Sequence, residues 1–80
     1  MKYIYLLRSR TVPKRSYVGI TCNLQRRLAE HNAGKCRHTS KYAPWDCIVA
    51  MRFLNDPRAD AFEAYLKTGS GRAFINRHFR

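Results

Sequence analysis

Acidic residues are what this chain has least of: Asp and Glu together number five, against sixteen Lys and Arg, in 80 residues. So few carboxylates mean that any site using a divalent cation must draw its ligand from a very short list. The three cysteines, Cys22, Cys36 and Cys47, are odd in number and lack paired spacing, which argues against a disulfide framework and for reduced thiols. Cys36, His38 and Cys47 contain no C-x2-C pair to support a structural zinc. No apolar run approaches the roughly 20 residues of a membrane span. The opening MKYIYLLRSR has too short an apolar run for a secretory signal and no small-residue cleavage site, so the expected compartment is the cytoplasm. Eighty residues leave room for one small domain, whose folded chain buries only about 60% of its unfolded surface.

What is present is charge and aromatic bulk. A net charge of +11 attracts polyanions, of which nucleic-acid phosphate is the commonest. A membrane surface is the rival, but the cations are scattered over every segment and form no single amphipathic face. Five Tyr, four Phe and one Trp, within an apolar fraction of 45%, supply a real core and exclude global disorder.

Taken in order, Tyr3-Ile4-Tyr5-Leu6-Leu7 is rich in strand formers, with Tyr3, Tyr5 and Leu7 on one face and Ile4 and Leu6 on the other. Ser9 to Ser16 reads as a loop leading to a second strand, Tyr17 to Ile20, paired antiparallel with the first. Asn23 or Thr21 caps a helix over Leu24 to His31, and Gly34 ends it. Lys35 to Pro44 is a basic loop; Asp46 to Leu54 reads as a third strand. Asn55-Asp56-Pro57 starts a second helix, which carries Ala59, Phe62 and Leu66 at helical spacing and closes at Gly69. Ser70 caps a last helix, Arg72 to His78, with Phe74, Ile75 and Phe79 closing the core. Cys47 is expected to pack as a small hydrophobe and the other two cysteines to be partly exposed.

Chemistry concentrates around Tyr17-Val18-Gly19. Tyr17 and Gly19 share one strand face, leaving space beside the phenol, and a strand glycine marks either close approach of another group or a bulge. Tyr5 on the neighbouring strand can point to the same side, as plain cross-strand packing or as part of a site. In the helix, Leu24 and Leu28 make the buried stripe, Arg27 and His31 lie beside it at i,i+4, and Arg26 and Glu30 are expected in solvent. Among the carboxylates, Asp56 is committed to a cap, Asp60 to a first turn, Asp46 to a strand start and Glu30 to the outer face. Glu63 remains the best-placed metal ligand, its alternative being a surface pair with Lys67 at i+4. Arg26, Lys35, Arg37, His38 and Lys41 are candidate nucleic-acid contacts, or a solvated connector.

Four segments in this order, Tyr3-Ile4-Tyr5, Tyr17-Val18-Gly19, Arg27 and His31 in NLQRRLAEH, and Glu63 in FEAYLKTGSGRAF, resemble the GIY-YIG nuclease domain. The likeness runs nearly from end to end and is greatest to the small stand-alone subgroup related to the N-terminal nuclease domain of the excinuclease subunit UvrC. It implies one domain over residues 1–80, an α+β fold with a three-stranded antiparallel sheet flanked by helices, and metal-dependent hydrolysis of DNA phosphodiesters in repair or recombination. Position by position, it implies that Tyr5, Tyr17, Arg27 and His31 are catalytic, Gly19 structural, Glu63 the metal ligand and Asn76 a supporting residue. Tyr3 and Val18 depart from the motif's first glycine and from its isoleucine. The implied cofactor is Mg²⁺, or Mn²⁺, with no small-molecule cofactor; the partner is DNA, with RNA as second candidate, and no membrane. Oligomeric state is left open. The competing reading is a basic nucleic-acid-binding module with the same fold and no turnover.

The chemistry is consistent with those residue types. Phosphodiester hydrolysis needs an activated water and neutralisation of charge on the phosphoryl oxygens. Magnesium suits a single carboxylate because it keeps most of its waters. Arg27 offers a bidentate fork, Tyr17 is the candidate base, Tyr5 the candidate to orient water or phosphate, and His31 the candidate to position Tyr17 or assist protonation.

Overall fold

The strand formers at the head of the chain make the middle of the sheet. In the computed structural model, which describes residues 1–80, strand β1 (Lys2–Ser9) lies between β2 (Ser16–Thr21) and β3 (Trp45–Phe53), antiparallel to both. A central strand has no free edge, so its two alternating sets of side chains can build two separate cores. Ile4 and Leu6 pack with Val18 and Ile20 of β2 against Ala59 and Leu66 of helix α2 (Asp56–Leu66) and Ile75 of helix α3 (Gly69–His78). Tyr5 and Leu7 pack on the other face with Trp45, Tyr17 and the Leu24–Leu28 stripe of helix α1 (Leu24–Asn32). Each fully buried aliphatic side chain contributes about 1.5–3 kcal/mol, so β1 anchors both layers.

The order β1, β2, α1, β3, α2, α3, with a single 3₁₀ turn at Ser40–Tyr42, is the expected α+β arrangement. Each strand boundary differs from expectation by one or two residues. Asn23 is the cap of α1, its side chain accepting from Arg26 N at 3.1 Å, while Thr21 Oγ1 accepts from Asn23 N. Asn55 caps α2 in the same way.

Three expectations are corrected. Helix α3 starts at Gly69 and is capped by Thr68, whose hydroxyl accepts from Gly71 N at 3.1 Å; Ser70 lies inside the first turn. Gly69 therefore opens α3 where it was expected to close α2. The α2–α3 corner is tight because a Cβ on Gly71 would run into the carbonyl of Tyr65 and into Leu66 Cα. Cys47 is exposed, because it sits on an outer strand beside a bulge: Leu6 pairs with Val49 and Leu7 with Cys47, leaving Ile48 as the extra residue. Glu30 is only partly exposed and pairs with Arg27 at 3.0 Å and Arg26 at 3.8 Å. No helix is long and apolar enough to cross a membrane.

Candidate active site

The register of β1 on β2 sets the site. Tyr5 stands opposite Gly19 and Leu7 opposite Tyr17, on the face turned toward α1. The space expected beside Gly19 is filled: a methyl there would run into Oη and Cζ of Tyr5, with Cε2 at 2.8 Å. The pairing of β1 with β2 runs without a register shift, so Gly19 is a place of close approach and not a bulge.

Laid across Gly19, the Tyr5 hydroxyl meets His31 Nε2 at 2.9 Å, and His31 Nδ1 meets Thr39 Oγ1 at 2.7 Å. The last partner in the chain, the carbonyl of Cys36 at 3.4 Å from Thr39 Oγ1, can only accept. The Thr39 hydroxyl thus donates to Cys36 and accepts from His31 Nδ1–H. Nε2 of the neutral ring is then an acceptor, and Tyr5 must donate to it. The electrostatics agree. Burial, followed by the charge of Arg27, pulls the His31 pKa below its ordinary value and keeps the ring neutral. Burial raises the Tyr5 pKa and is partly opposed by Arg27, so the phenol keeps its proton. Tyr5, His31 and Thr39 are each only 1% exposed, so none of them has an open face for water or phosphate.

Tyr17 differs. It is half-buried, with its ring 5.2 Å from that of His31 and 6.4 Å from that of Tyr5, and it lines a surface groove of about 470 Å³. Packed against these two fixed rings, it is the tyrosine that can touch a ligand. Arg27 is held from both sides, Nη1 donating to Glu30 at 3.0 Å while the guanidinium faces the Tyr5 hydroxyl. Those contacts raise its pKa further, so it is a permanent charge.

Glu63 comes from α2, on the opposite side of the sheet. The C-terminal end of that helix reaches the β2 edge, where Lys67 Nζ lies 2.7 Å from Glu63 Oε2 and 5.9 Å from the centre of the Tyr17 ring. Glu63 is thus brought to Tyr17 through Lys67. No cluster of three or more His, Cys, Asp and Glu able to hold a metal exists, so a cation here would have one protein carboxylate and complete its shell with water and phosphate oxygens. Glu63 fits that demand, since its side chain is only 17% exposed and already bears a cation. Asn76 lines the same groove as Tyr17.

The five proposed nucleic-acid contacts, Arg26, Lys35, Arg37, His38 and Lys41, are exposed on α1 and the loop after it, and none of them lines the groove. The cations that do are Lys14, Arg15, Lys67, Arg72 and Arg80. Arg15 stacks on Tyr42 at 4.9 Å, and Arg80 ties the C-terminus to the β1–β2 loop through Pro13 O at 2.7 Å. Sequence reasoning missed these groove residues because they come together only when α3 meets that loop. It also missed Thr39 and the clamp on its segment. Trp45 Nε1 donates to Thr39 O at 2.9 Å, while Asn32 bonds both backbone groups of Trp45. The only sequence signal was a single tryptophan at the mouth of a polar loop.

A small α+β domain with a buried tyrosine–histidine pair held by an arginine, a second tyrosine on a basic groove, and a glutamate paired with a lysine of that groove has the residue types of a phosphodiester-cutting domain, although Arg27 and Glu63 do not themselves line the groove. The chain is a member of the GIY-YIG family: the model of the GIY-YIG catalytic domain matches residues 1–77. It is similar to the structure-specific endonuclease subunit SLX1 homolog of Giardia intestinalis, 42% identical over 50 residues, 59% of this chain and 14% of that protein. Its likeness to the structure-specific endonuclease subunit slx1 of Xenopus laevis is 41% over 68 residues, 75% of this chain and 24% of that protein. A UPF0213 protein of Oceanobacillus iheyensis is 33% identical over 66 residues, 81% of this chain and 74% of that one. The chain therefore spans no more than about a quarter of the SLX1 relatives' length but most of the UPF0213 protein's. The enzyme class that goes with this family and with the two SLX1 relatives is endonuclease.

Proposed function

We propose that this chain is a divalent-metal-dependent endonuclease acting on DNA. The observation that carries the reading is that Tyr17, fixed against Tyr5 and His31, opens on a groove lined by five cations and lies within one lysine's length of Glu63. A phosphate backbone entering that groove would be drawn in by its charge and would present a phosphorus to Tyr17.

Glu63 would hold the metal, which supplies neutralisation of the phosphate and a more acidic water, and Asn76, which lines the groove, is its supporting residue. Tyr17 takes the proton from the attacking water. Arg27, rigid between Glu30 and Tyr5, offers a fork to the non-bridging oxygens and stabilises the charge that grows on them. Tyr5 and His31 are positioning residues in this arrangement: their shared hydrogen bond fixes the floor on which Tyr17 rests. Three cysteines, odd in number and without paired spacing, support a reducing compartment, the cytoplasm, and the repair or recombination role follows from the family resemblance alone.

The test is single-turnover cleavage of labelled linear, branched and single-stranded DNA with Mg²⁺ or Mn²⁺. Arg27→Ala is expected to slow cleavage about 100- to 1,000-fold, the usual cost of one preorganised charge-stabilising donor. Glu63→Gln is expected to abolish metal-dependent cleavage with the fold intact by circular dichroism. Cleavage at the native rate by either variant would overturn the assignment, and tight binding with no turnover by the native chain would favour the binding module.

A further inference from the structure

The pairing of Lys67 with Glu63 joins two functions that the proposed chemistry keeps apart, cation binding and phosphate binding. Glu63 does not itself line the groove, and its carboxylate is largely withdrawn from water, a position that is costly for a charge without a partner. Its partner is Lys67, whose ammonium sits at the distance of a close ion pair and over the Tyr17 ring. Lys67 is itself half exposed, stands at the C-terminal cap of α2, and lines the groove with Tyr17, Asn76 and Arg72. Its four-carbon stem lets the ammonium reach either the carboxylate or an anion in the groove without backbone movement.

We propose that Lys67 is a built-in substitute for the metal: its ammonium occupies the Glu63 carboxylate when no divalent ion is bound, and turns onto the substrate phosphate when one is. This rests on the reading of Glu63 as the metal ligand. A divalent ion brings twice the charge to the carboxylate and displaces the ammonium, which then finds its next anion in the same groove. The free enzyme thus holds Glu63 correctly aimed without metal, and metal and nucleic acid each make room for the other. Lys67 is a positioning residue for Glu63 and a phosphate contact in turn.

The test measures Mn²⁺ binding by calorimetry on the chain without nucleic acid, so that it does not depend on turnover. Lys67→Met removes the competing ammonium and is expected to bind Mn²⁺ about two- to fivefold more tightly, the range a partly solvated ion pair can withhold. Lys67→Gln should do the same, and Lys67→Arg should stay close to native. Arg58→Gln, which removes a charge from the first turn of the same helix, controls for the general fall in positive field and should stay within about 1.5-fold of native. In parallel, Ca²⁺, used so that the strand is not cut, should tighten binding of a fluorescent oligonucleotide less in Lys67→Met than in Arg58→Gln. Unchanged or weaker Mn²⁺ binding by both neutral Lys67 variants, or equal tightening by Arg58→Gln, overturns the proposal. Glu63→Gln separates the two readings. If it binds Mn²⁺ as the native chain does, the metal assignment itself has failed; if it binds weakly while the Lys67 variants match native, only the substitute role has.

Discussion

Adding one methyl group at Gly19 tests the centre of the site. In Gly19→Ala the new Cβ meets the Tyr5 ring near its hydroxyl, and the surrounding backbone is a paired strand that cannot retreat. Tyr5 must swing away, and with it goes the hydrogen bond to His31 Nε2. Overpacking of this kind costs about 1–3 kcal/mol, and losing a hydrogen bond from a buried pair adds about 0.5–1.5 kcal/mol. The better backbone propensity of alanine in a strand returns under about 1 kcal/mol. Mid-range values leave a net loss of about 2 kcal/mol, which for a domain of this size corresponds to a fall in Tm of roughly 8–16 °C by circular dichroism. The same change made in a Tyr5→Leu background should cost less than about 1 kcal/mol, because the atoms it runs into are gone; the difference is the coupling of the two sites. A Gly19→Ala Tm within about 3 °C of native, or an equal cost in both backgrounds, would refute the close-approach explanation of this glycine.

Other consequences follow from the buried hydrogen-bond chain. Thr39→Val leaves His31 Nδ1–H without an acceptor and should destabilise the fold by about 1–3 kcal/mol, while Thr39→Ser, which keeps the hydroxyl, should lose much less in urea titration. His31 has a folded pKa below its ordinary 6.5, so the unfolded chain binds a proton that the folded one refuses as pH falls through that value. Stability should therefore be full above about pH 7 and decline as pH drops through 6.5 and below, and His31→Gln should flatten that part of the profile; a flat native profile between pH 7 and 5.5 would contradict it. Asn32→Ala frees both backbone groups of Trp45 and should cost about 1–3 kcal/mol and slow cleavage by loosening the Thr39 segment, with Asn32→Asp giving partial recovery.

The strands and α1 were legible in the sequence because their signals are local. Alternation of Tyr3, Tyr5 and Leu7 against Ile4 and Leu6 describes a strand with two buried faces, and Asn23 with Gly34 brackets a helix. The start of α3 was misplaced because Thr68, Gly69, Ser70 and Gly71 offer several caps in four residues, and only the close packing of Gly71 on α2 selects Thr68. The division of labour between the tyrosines was not legible either. Their spacing in the strands is alike, and what separates them is that α1 covers Tyr5 while Tyr17 lies on an outer strand. Groove cations at positions 14, 15, 67, 72 and 80 come from separate parts of the chain, whereas the dense run of basic residues after α1 is a local signal and lies outside the groove.

The bulge in β3 sets a rule about register. With Ile48 as an extra residue, Trp45 comes level with Ser9 and turns its indole toward the α1 side. Deleting Ile48 would leave Trp45 level with Ser9, whereas drawing Ile48 into the ladder, with no residue lost, would shift every position before it by one and send the indole to the opposite side of the sheet. Thr39 would lose the donor that pins its carbonyl, and the histidine behind it would lose its footing. The outer strand can thus exchange side chains freely along its exposed flank and can lose its extra residue, but it cannot pair that residue without the change being felt, three contacts away, at the ring on which Tyr17 rests.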